Sequence, residues 1–226
     1  MANDWTYTQN FNDLTDGNIN GQDSWVSTLT TAFVVQTSVK SEGAKALAVV
    51  SGGGYSASRA ITSITTQGTL HISMRSTVNN DNAPFIRLRS TDGSSMCQVI
   101  TLDGYWCYNY SGSSNVQISA YSANTWYDVV IDFDFPTYKY RVSVDNGVNF
   151  TDWQTFITAS KTDIASFFVA QADGSGTTTS YYDDIRPWTE IVGPAKLKTR
   201  NGLTLAQIKS INGLEIAKVK TLNGLS

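Results

Sequence analysis

Hydrophobic and polar residues alternate most regularly between positions 127 and 147. One set of alternate residues is aromatic or β-branched, and the other is rich in aspartate, lysine and arginine. Because successive side chains of a β-strand point to opposite sides, this pattern predicts two half-buried strands. Pro136 separates them, since proline cannot donate to a strand ladder, and Asp145-Asn146-Gly147 predicts a tight turn after the second. The predicted inward set is Tyr127, Val129, Ile131, Phe133 and Phe135, then Tyr138, Tyr140, Val142 and Val144.

Short segments of the same kind recur along most of the chain, and helical periodicity is nowhere sustained. About a dozen strands at intervals of roughly 8–12 residues predict an all-β fold, a sandwich or jelly roll. Hydrophobic residues make up 41% of the chain and charged residues only 15%, which suits short strands joined by polar turns. No apolar run approaches the ~18 residues that a membrane span requires, so no membrane partner is expected.

Three motifs carry a resemblance to a known superfamily. The segment FNDLTDGNINGQDSW at 11–25 resembles the opening motif of concanavalin A-like (laminin-G-like) jelly rolls. The hairpin WYDVVIDFD…TYKYRVSVDNG resembles their central hairpin, and YYDDI at 181–185 is similar to their closing strand. The resemblance implies a jelly-roll β-sandwich over residues 1–190. It implies little about activity, because that superfamily includes lectins, glycan-binding modules, hydrolases and scaffolds.

After Pro187 the sequence changes to a linker followed by an eleven-residue repeat, which predicts a short C-terminal β-repeat extension over residues 191–226. An Asn-Gly pair in each repeat favours turns over a helix. Two and a half repeats are too few to bury an apolar side alone, so we expect an assembly tail that drives a homo-oligomer such as a trimer. The predicted turns are Asn201-Gly202, Asn212-Gly213 and Asn223-Gly224, and the predicted assembly residues are Leu203, Ile208, Ile211, Leu214, Ile216, Val219, Leu222 and Leu225.

Charge is distributed unevenly between the two parts of the chain. The net charge of −3 comprises about +5 on residues 194–226 and about −8 on the rest. A basic tail is compatible with a nucleic-acid anchor, but alternating lysines on a solvated strand are the simpler explanation. We therefore favour a solvated strand and do not expect nucleic acid as a partner.

The two cysteines flank a predicted hairpin turn at Asp103-Gly104. A two-residue turn there pairs Cys107 with Ile100 and places the two sulfur atoms on opposite sides of the hairpin. Two free, buried thiols are therefore expected.

Candidate catalytic groups are scarce, and we predict a protein that is not an enzyme. Glycosidases of the resembled superfamily carry a Glu-x-Asp-x-x-Glu strand, which this chain lacks. Asp128, Asp132 and Asp134 share one side of a strand and are interpreted as a solvated outer surface. His71 is the only histidine and is predicted to be a surface or edge residue. One histidine and two separated cysteines cannot build a zinc site.

A structural calcium ion is the one cofactor that the sequence suggests, and none is required. Relatives of the resembled fold often hold Ca²⁺ near their joined termini. Asp16 in the first loop and Asp183 and Asp184 on the last strand are the candidate ligands, because carboxylate oxygens suit this cation. Turn formation is the alternative role of the acidic loop residues.

The segment 105–110 is the candidate carbohydrate-binding site. Aromatic rings exposed on a sheet stack on sugar rings, and nearby amides meet the hydroxyl groups. Alternate residues of this segment point to opposite sides of the sheet. The alternative is that the larger aromatic set, Trp106, Tyr108 and Tyr110, belongs to the core. The candidate residues are Tyr105, Trp106, Tyr108 and Tyr110.

Together these features predict a non-enzymatic structural or adhesive protein of a virion, such as a phage head fibre, tail fibre or decoration protein. Its partners would be other virion proteins and surface glycans. The first residues have neither a basic nor an apolar leader region, which predicts synthesis in the host cytoplasm. The alternative is an extracellular, secreted carbohydrate-binding module or glycoside hydrolase of the same fold.

The assembly prediction is tested by deleting residues 194–226. Size-exclusion chromatography with light scattering should give an oligomeric mass for the full chain and a monomeric mass for the truncated chain. The physical reason is that the repeats cannot bury their apolar side alone: association between tails gives an oligomer, whereas docking of the tail on the body, the alternative, gives a monomer. A full chain that is already monomeric contradicts the prediction.

Overall fold

A computed structural model describes residues 3–50, 54–79, 83–171 and 178–189, together with the backbone of four two-residue strands near the C-terminus. The chain divides into two compact units, Met1–Trp188 and Thr189–Ser226. The strands of the first unit are β1 (Gly17–Asn18), β2 (Trp25–Ser27), β3 (Phe33–Gln36), β4 (Ala46–Val50), β5 (Tyr55–Ile64), β6 (Gln67–Ser76), β7 (Phe85–Arg89), β8 (Ser95–Leu102), β9 (Tyr105–Tyr110), β10 (Ser113–Ala120), β11 (Tyr127–Asp134), β12 (Lys139–Ser143), β13 (Gln154–Thr155), β14 (Ile164–Gln171) and β15 (Thr179–Pro187).

These strands form two antiparallel sheets that pack as a β-sandwich, which confirms the predicted all-β fold. The eight-stranded sheet has the order β1-β3-β4-β15-β6-β11-β12-β13. The seven-stranded sheet has the order β10-β9-β8-β7-β14-β5-β2. One 3-10 turn, Gln22–Ser24, precedes β2. The described residues contain no helix with the length and apolarity needed to cross a bilayer.

The alternating segment 127–147 forms the predicted pair of strands near the middle of the eight-stranded sheet. β11 lies between β6 and β12, and its side chains Val129, Ile131 and Phe133 are fully buried between the sheets. The second strand departs from the prediction at its start, because Tyr138 adopts a positive φ of 55° in the turn and its side chain is 44% exposed.

The hairpin of β8 and β9 has the predicted register. Asp103 and Gly104 have φ angles of 49° and 81°, as a two-residue hairpin turn requires, and Ile100 pairs with Cys107. Cys97 packs in the core between the sheets, whereas Cys107 packs on the outer side of the seven-stranded sheet. Both thiols are free and buried, as expected, because they lie on opposite sides of one sheet.

Buried tyrosines connect the two sheets by hydrogen bonds. The Tyr182 hydroxyl, on β15, lies 2.5 Å from the carbonyl oxygen of Ala170 on β14 and accepts a hydrogen bond of 2.9 Å from the amide of Phe85 on β7. The Tyr140 hydroxyl, on β12, donates to the carbonyl oxygen of Asn109 on β9. Because these hydroxyl groups have no access to water, burial raises the pKa of both tyrosines.

The second unit contains two short antiparallel strand pairs. β16 (Thr199–Arg200) pairs with β17 (Leu203–Thr204), and β18 (Ser210–Ile211) pairs with β19 (Leu214–Glu215). The second pair repeats the first eleven residues later in the sequence, which agrees with strands at the predicted period. The six predicted turn residues, Asn201 to Gly224, lie outside the described residues, as do the side chains of the predicted assembly residues, so the assembly tail stays a prediction.

Tyr182→Phe should test the hydrogen bonds between the sheets. Removing the hydroxyl leaves the buried amide of Phe85 without its partner, at a cost of about 1–3 kcal/mol in the free energy of unfolding. The measurement is urea denaturation. Tyr181→Phe is the matched control, because Tyr181 is the half-buried neighbour on the opposite side of β15, and it should change stability by less than about 0.5 kcal/mol. Equal stability of both variants contradicts the role of Tyr182.

Candidate functional site

The outer side of the seven-stranded sheet carries one line of side chains that crosses five strands. We call this surface the arginine face. The strand register places the following residues side by side on β5, β14, β7, β8 and β9: Ser58, Phe168, Arg87, Gln98 and Asn109.

These residues point outward because their neighbours in sequence form the core. On β7, Ile86 and Leu88 are fully buried between the sheets, so Arg87 and Arg89 must project from the other side. The same alternation holds on β14, where Phe167 and Val169 are buried on either side of the partly exposed Phe168. The packing of the sandwich therefore fixes which side chains the arginine face presents.

Arg87 is held in one orientation by its neighbours. Its Nε and Nη2 atoms donate hydrogen bonds of 3.0 and 2.6 Å to the Oε1 atom of Gln98, which is itself only 6% exposed. Its guanidinium carbon lies 4.8 Å from the ring centroid of Phe85 and 5.9 Å from that of Phe168. Burial, and then the positive charge of Arg89, lower the pKa of Arg87.

Arg89 stacks on the same aromatic group. Its guanidinium carbon lies 4.0 Å from the ring centroid of Phe168, and burial lowers its pKa. Its Nε atom is buried without a hydrogen-bond partner. Among the described residues, no carboxylate lies within 4 Å of either Arg87 or Arg89, so both cations lack a counter-charge there.

An apolar floor adjoins the two arginines. The rings of Phe85 and Phe168 meet edge to face with centroids 5.8 Å apart. Ile100 and Cys107 continue the floor along the next two strands, and like Phe85 they are buried, with exposures of 7% and 1%. The accessible apolar area is that of the partly exposed Phe168 and of Tyr105, which is 40% exposed. The arginine face thus combines two aromatic rings with guanidinium, amide and hydroxyl groups.

The structure divides the four predicted carbohydrate-binding residues between two sides of the sheet. Trp106 is fully buried, Tyr108 is 5% exposed, and both belong to the core between the sheets. This corrects the prediction for these two, because a ring enclosed by other side chains cannot stack on a sugar. Tyr110 is half-buried against the core, and Tyr105 lies on the arginine face. Carbohydrate binding through Tyr105 and Tyr110 stays a prediction.

His71 is buried, and its prediction as a surface or edge residue is wrong. It lies on the central strand β6 with a side-chain exposure of 1%. Its Nε2 atom is 3.2 Å from Oδ1 of Asp128, and its Nδ1 atom is 2.9 Å from the carbonyl oxygen and 3.2 Å from Oδ2 of Asp184. Ser73 donates to the same oxygen of Asp128 at 3.0 Å. The neighbouring strands β11 and β15 supply these partners, which a sequence pattern on β6 does not reveal.

Each aspartate of β11 also has a side-chain partner, whereas the prediction of a solvated surface required none. The hydrogen bond from His71 is the largest influence that lowers the pKa of Asp128. Asp132 forms a two-point ion pair with Arg141, with both N–O distances at 2.8 Å. Asp134 accepts a hydrogen bond from the Thr137 hydroxyl at 2.6 Å. These contacts stabilise the sheet and leave no free pair of carboxylates on this strand.

The three calcium candidates have separate partners. Asp16 pairs with Lys45 at 3.0 Å. Asp183 is buried and accepts hydrogen bonds from three backbone amides, and burial raises its pKa to about 6. Asp184 accepts from the Nε atom of Arg186 at 2.8 Å. No group of three or more acidic, histidine or cysteine side chains in the described residues could hold a metal ion, and calcium binding stays a prediction.

An open cleft of about 540 Å³ lies beside the N-terminal segment. Glu42 and Asp184 line it together with Asp13, Asp23 and Arg186. Burial and the charge of Asp184 raise the pKa of Glu42. The sequence did not predict this pair of carboxylates, because they lie 142 positions apart and no spacing rule brings them together.

Comparison with solved structures finds one match that agrees with the β-sandwich fold and others of lower similarity. A sialidase aligns with a TM-score of 0.60 at 10% sequence identity, over 78% of this chain and 18% of that chain. The binding domain of Botulinum neurotoxin DC in complex with rat synaptotagmin II aligns with a TM-score of 0.49 at 10% identity, over 71% and 42%. A Trypanosoma rangeli sialidase in complex with sialic acid aligns with a TM-score of 0.45 at 11% identity, over 72% and 30%. This chain therefore spans less than half the length of each. No protein-family model and no curated protein matches the sequence.

The arginine face was also not predicted from the sequence. The alternation from Phe85 to Arg89 places Arg87 and Arg89 on the side opposite Ile86 and Leu88, and an outward arginine on a strand is ordinarily a solvated one. The signal that distinguishes the two is the set of their cross-strand partners, none of which is acidic. That set exists only once the order and register of the strands are known.

Asp128→Asn should test the His71 contact through its pH dependence. An acid with a lowered pKa contributes stability above its unfolded value of about 4, and this contribution is lost as the pH falls below that value. We expect a loss of about 1 kcal/mol at pH 7, small because Asp128 is half-exposed, and a smaller loss at pH 3. Urea denaturation at both pH values measures it. Asp134→Asn, on the same side of β11, is the control, and a loss that grows at pH 3 contradicts the contact.

Proposed function

We propose that this protein is a non-catalytic, glycan-binding β-sandwich of the concanavalin A-like type, and that its ligand lies on the arginine face. The observation that supports the proposal is the line of five residues from Ser58 to Asn109, held in register across five strands. Side chains on a rigid sheet are better positioned than side chains on loops, which suits recognition of a polar ligand.

The chemistry of the arginine face matches that of a sugar ring. A pyranose has an apolar side, made of C–H groups, and a rim of hydroxyl groups. The partly exposed Phe168 ring supplies apolar contact, and the partly exposed Ser58 and Asn109 supply donors and acceptors for the hydroxyl groups. Tyr105 at the end of the floor extends the surface for a second sugar unit.

The absence of catalysis is part of the proposal. Glycoside hydrolysis requires two carboxyl groups that flank the scissile bond. The line of residues on the arginine face contains no acidic side chain. In the cleft, Asp184 already pairs with Arg186 and His71. Glu42 therefore has no second, unpaired carboxylate beside it with which to flank a scissile bond. A reducing-sugar assay that detects turnover would contradict this part of the proposal.

A more specific form of the same proposal is that this glycan-binding protein is a component of a virion. An adhesive domain joined to an oligomerising tail would present several glycan sites at once, and several weak sites bind more tightly than one. This form depends on the assembly tail, whereas glycan binding by the sandwich does not.

Phe168→Ala should test the site. Loss of the ring removes its apolar contact with the sugar, and we expect binding to weaken about tenfold or more. The measurement is an array of neutral and acidic oligosaccharides, followed by titration of the strongest binder.

Phe150→Ala is the matched control, because this partly buried ring contacts Trp188 on the first unit, away from the seven-stranded sheet. Thermal melting should show that both variants stay folded. Equal weakening by the two substitutions, or no binding by the unaltered protein, contradicts glycan binding at the arginine face.

A further inference from the structure

We propose that the arginine face selects sugars that bear a carboxylate, with Arg87 and Arg89 as the residues that recognise the acidic group. The inference rests on the proposed function, since it names the chemical class of glycan that the same site takes.

The first step is the contrast between these two arginines and three other arginines of the first unit. Arg59, Arg141 and Arg186 each pair with an aspartate, at 3.3, 2.8 and 2.8 Å. Arg87 and Arg89 have no such partner among the described residues. They are therefore a neighbouring pair of guanidinium groups whose positive charge the described part of the chain does not neutralise.

The second step is the cost of that arrangement. Alternate residues on one side of a strand lie about 7 Å apart, so the two like charges repel. Burial adds to the cost, and both effects act in the direction of a lowered pKa for Arg87. The chain has an excess of acidic residues, with a net charge of −3, yet the neighbouring strands place phenylalanine and glutamine beside Arg87 and serines beside Arg89. A bound anion would remove the repulsion between them.

The third step is orientation. Gln98 accepts from Nε and Nη2 of Arg87, which fixes the plane of that guanidinium and leaves its Nη1 atom available. The ring of Phe168 supports the guanidinium of Arg89 from one side. A planar guanidinium with a fixed orientation binds a carboxylate by two parallel hydrogen bonds, and less of its side-chain entropy is lost on binding.

The surroundings distinguish a sugar acid from other anions. A site for a polyanion backbone needs mainly positive charge, whereas here both cations lie beside the partly exposed ring of Phe168. Gln98 and Asn109 continue the same row with amide groups. A carboxylate attached to a ring that has both an apolar side and hydroxyl groups uses all of these features.

Matched pairs of oligosaccharides test the inference. Sialyl-lactose is compared with lactose, and a glucuronate-containing tetrasaccharide with the same compound after reduction of its carboxyl groups, by calorimetric titration of the full chain. We expect the acidic member of each pair to bind at least tenfold more tightly. Arg87→Gln and Arg89→Gln should each abolish that preference, so that the affinities for the acidic and the neutral member become equal.

Arg75→Gln is the control, because Arg75 stacks on Tyr181 on the outer side of the other sheet and also lacks a carboxylate partner. It should retain the preference. Equal binding of acidic and neutral sugars by the unaltered protein overturns the inference but leaves glycan binding intact. A failure to bind any sugar overturns both.

Two further probes separate carboxylate recognition from general attraction to anions. A sulfated sugar of the same backbone, a 20-base single-stranded DNA and vesicles with anionic lipid should bind more weakly than the carboxylate sugar at 150 mM salt. DNA or vesicles that bind more tightly, with the same dependence on Arg87 and Arg89, overturn the inference in favour of a polyanion surface. A preference for the sulfated sugar overturns the assignment of a carboxylate.

Discussion

The hydrogen bonds that two buried tyrosines make between the sheets are the constraint on which the candidate site depends. Tyr182 reaches from the eight-stranded sheet to the backbone of β7 and β14, and Tyr140 reaches to the backbone of β9. These are three of the five strands that cross the arginine face. Hydrophobic packing alone is non-directional and permits two sheets to slide. A hydroxyl group without access to water has one set of partners, so it fixes the relative position of the strands that carry Phe168, Arg87 and Asn109.

Local alternation predicted those parts of the fold that depend on neighbouring residues. The inward set of β11 is buried as expected, since a strand with one apolar side has only one way to pack. The turn at Asp103-Gly104 fixed the register of its hairpin and hence the opposite positions of Cys97 and Cys107. Composition and strand spacing were enough for the sandwich class. In each case the determining interactions lie within a few residues of each other in sequence.

Features that depend on which strands become neighbours were not predicted. The polar side of β6 indicated exposure for His71, but β11 and β15 enclose it with carboxylates from residues 128 and 184. Trp106 and Tyr105 differ in exposure because the core lies on one side of β9, and the sequence of an aromatic hairpin is the same whichever side is buried. The arginine face is assembled from four strands that lie between residues 58 and 109 in sequence and from a fifth strand that carries residue 168. Its pattern is a property of the sheet and of no single segment.

The alternation of inward and outward side chains on β7 and β14 also separates two kinds of evolutionary change. Substitutions at the inward positions Ile86, Leu88 and Phe167 alter a closely packed core and are selected against through stability. Substitutions at the outward positions 87, 89 and 168 leave that core intact. A single substitution at one of these outward positions can therefore change the chemistry of the surface while the packing between the sheets is retained.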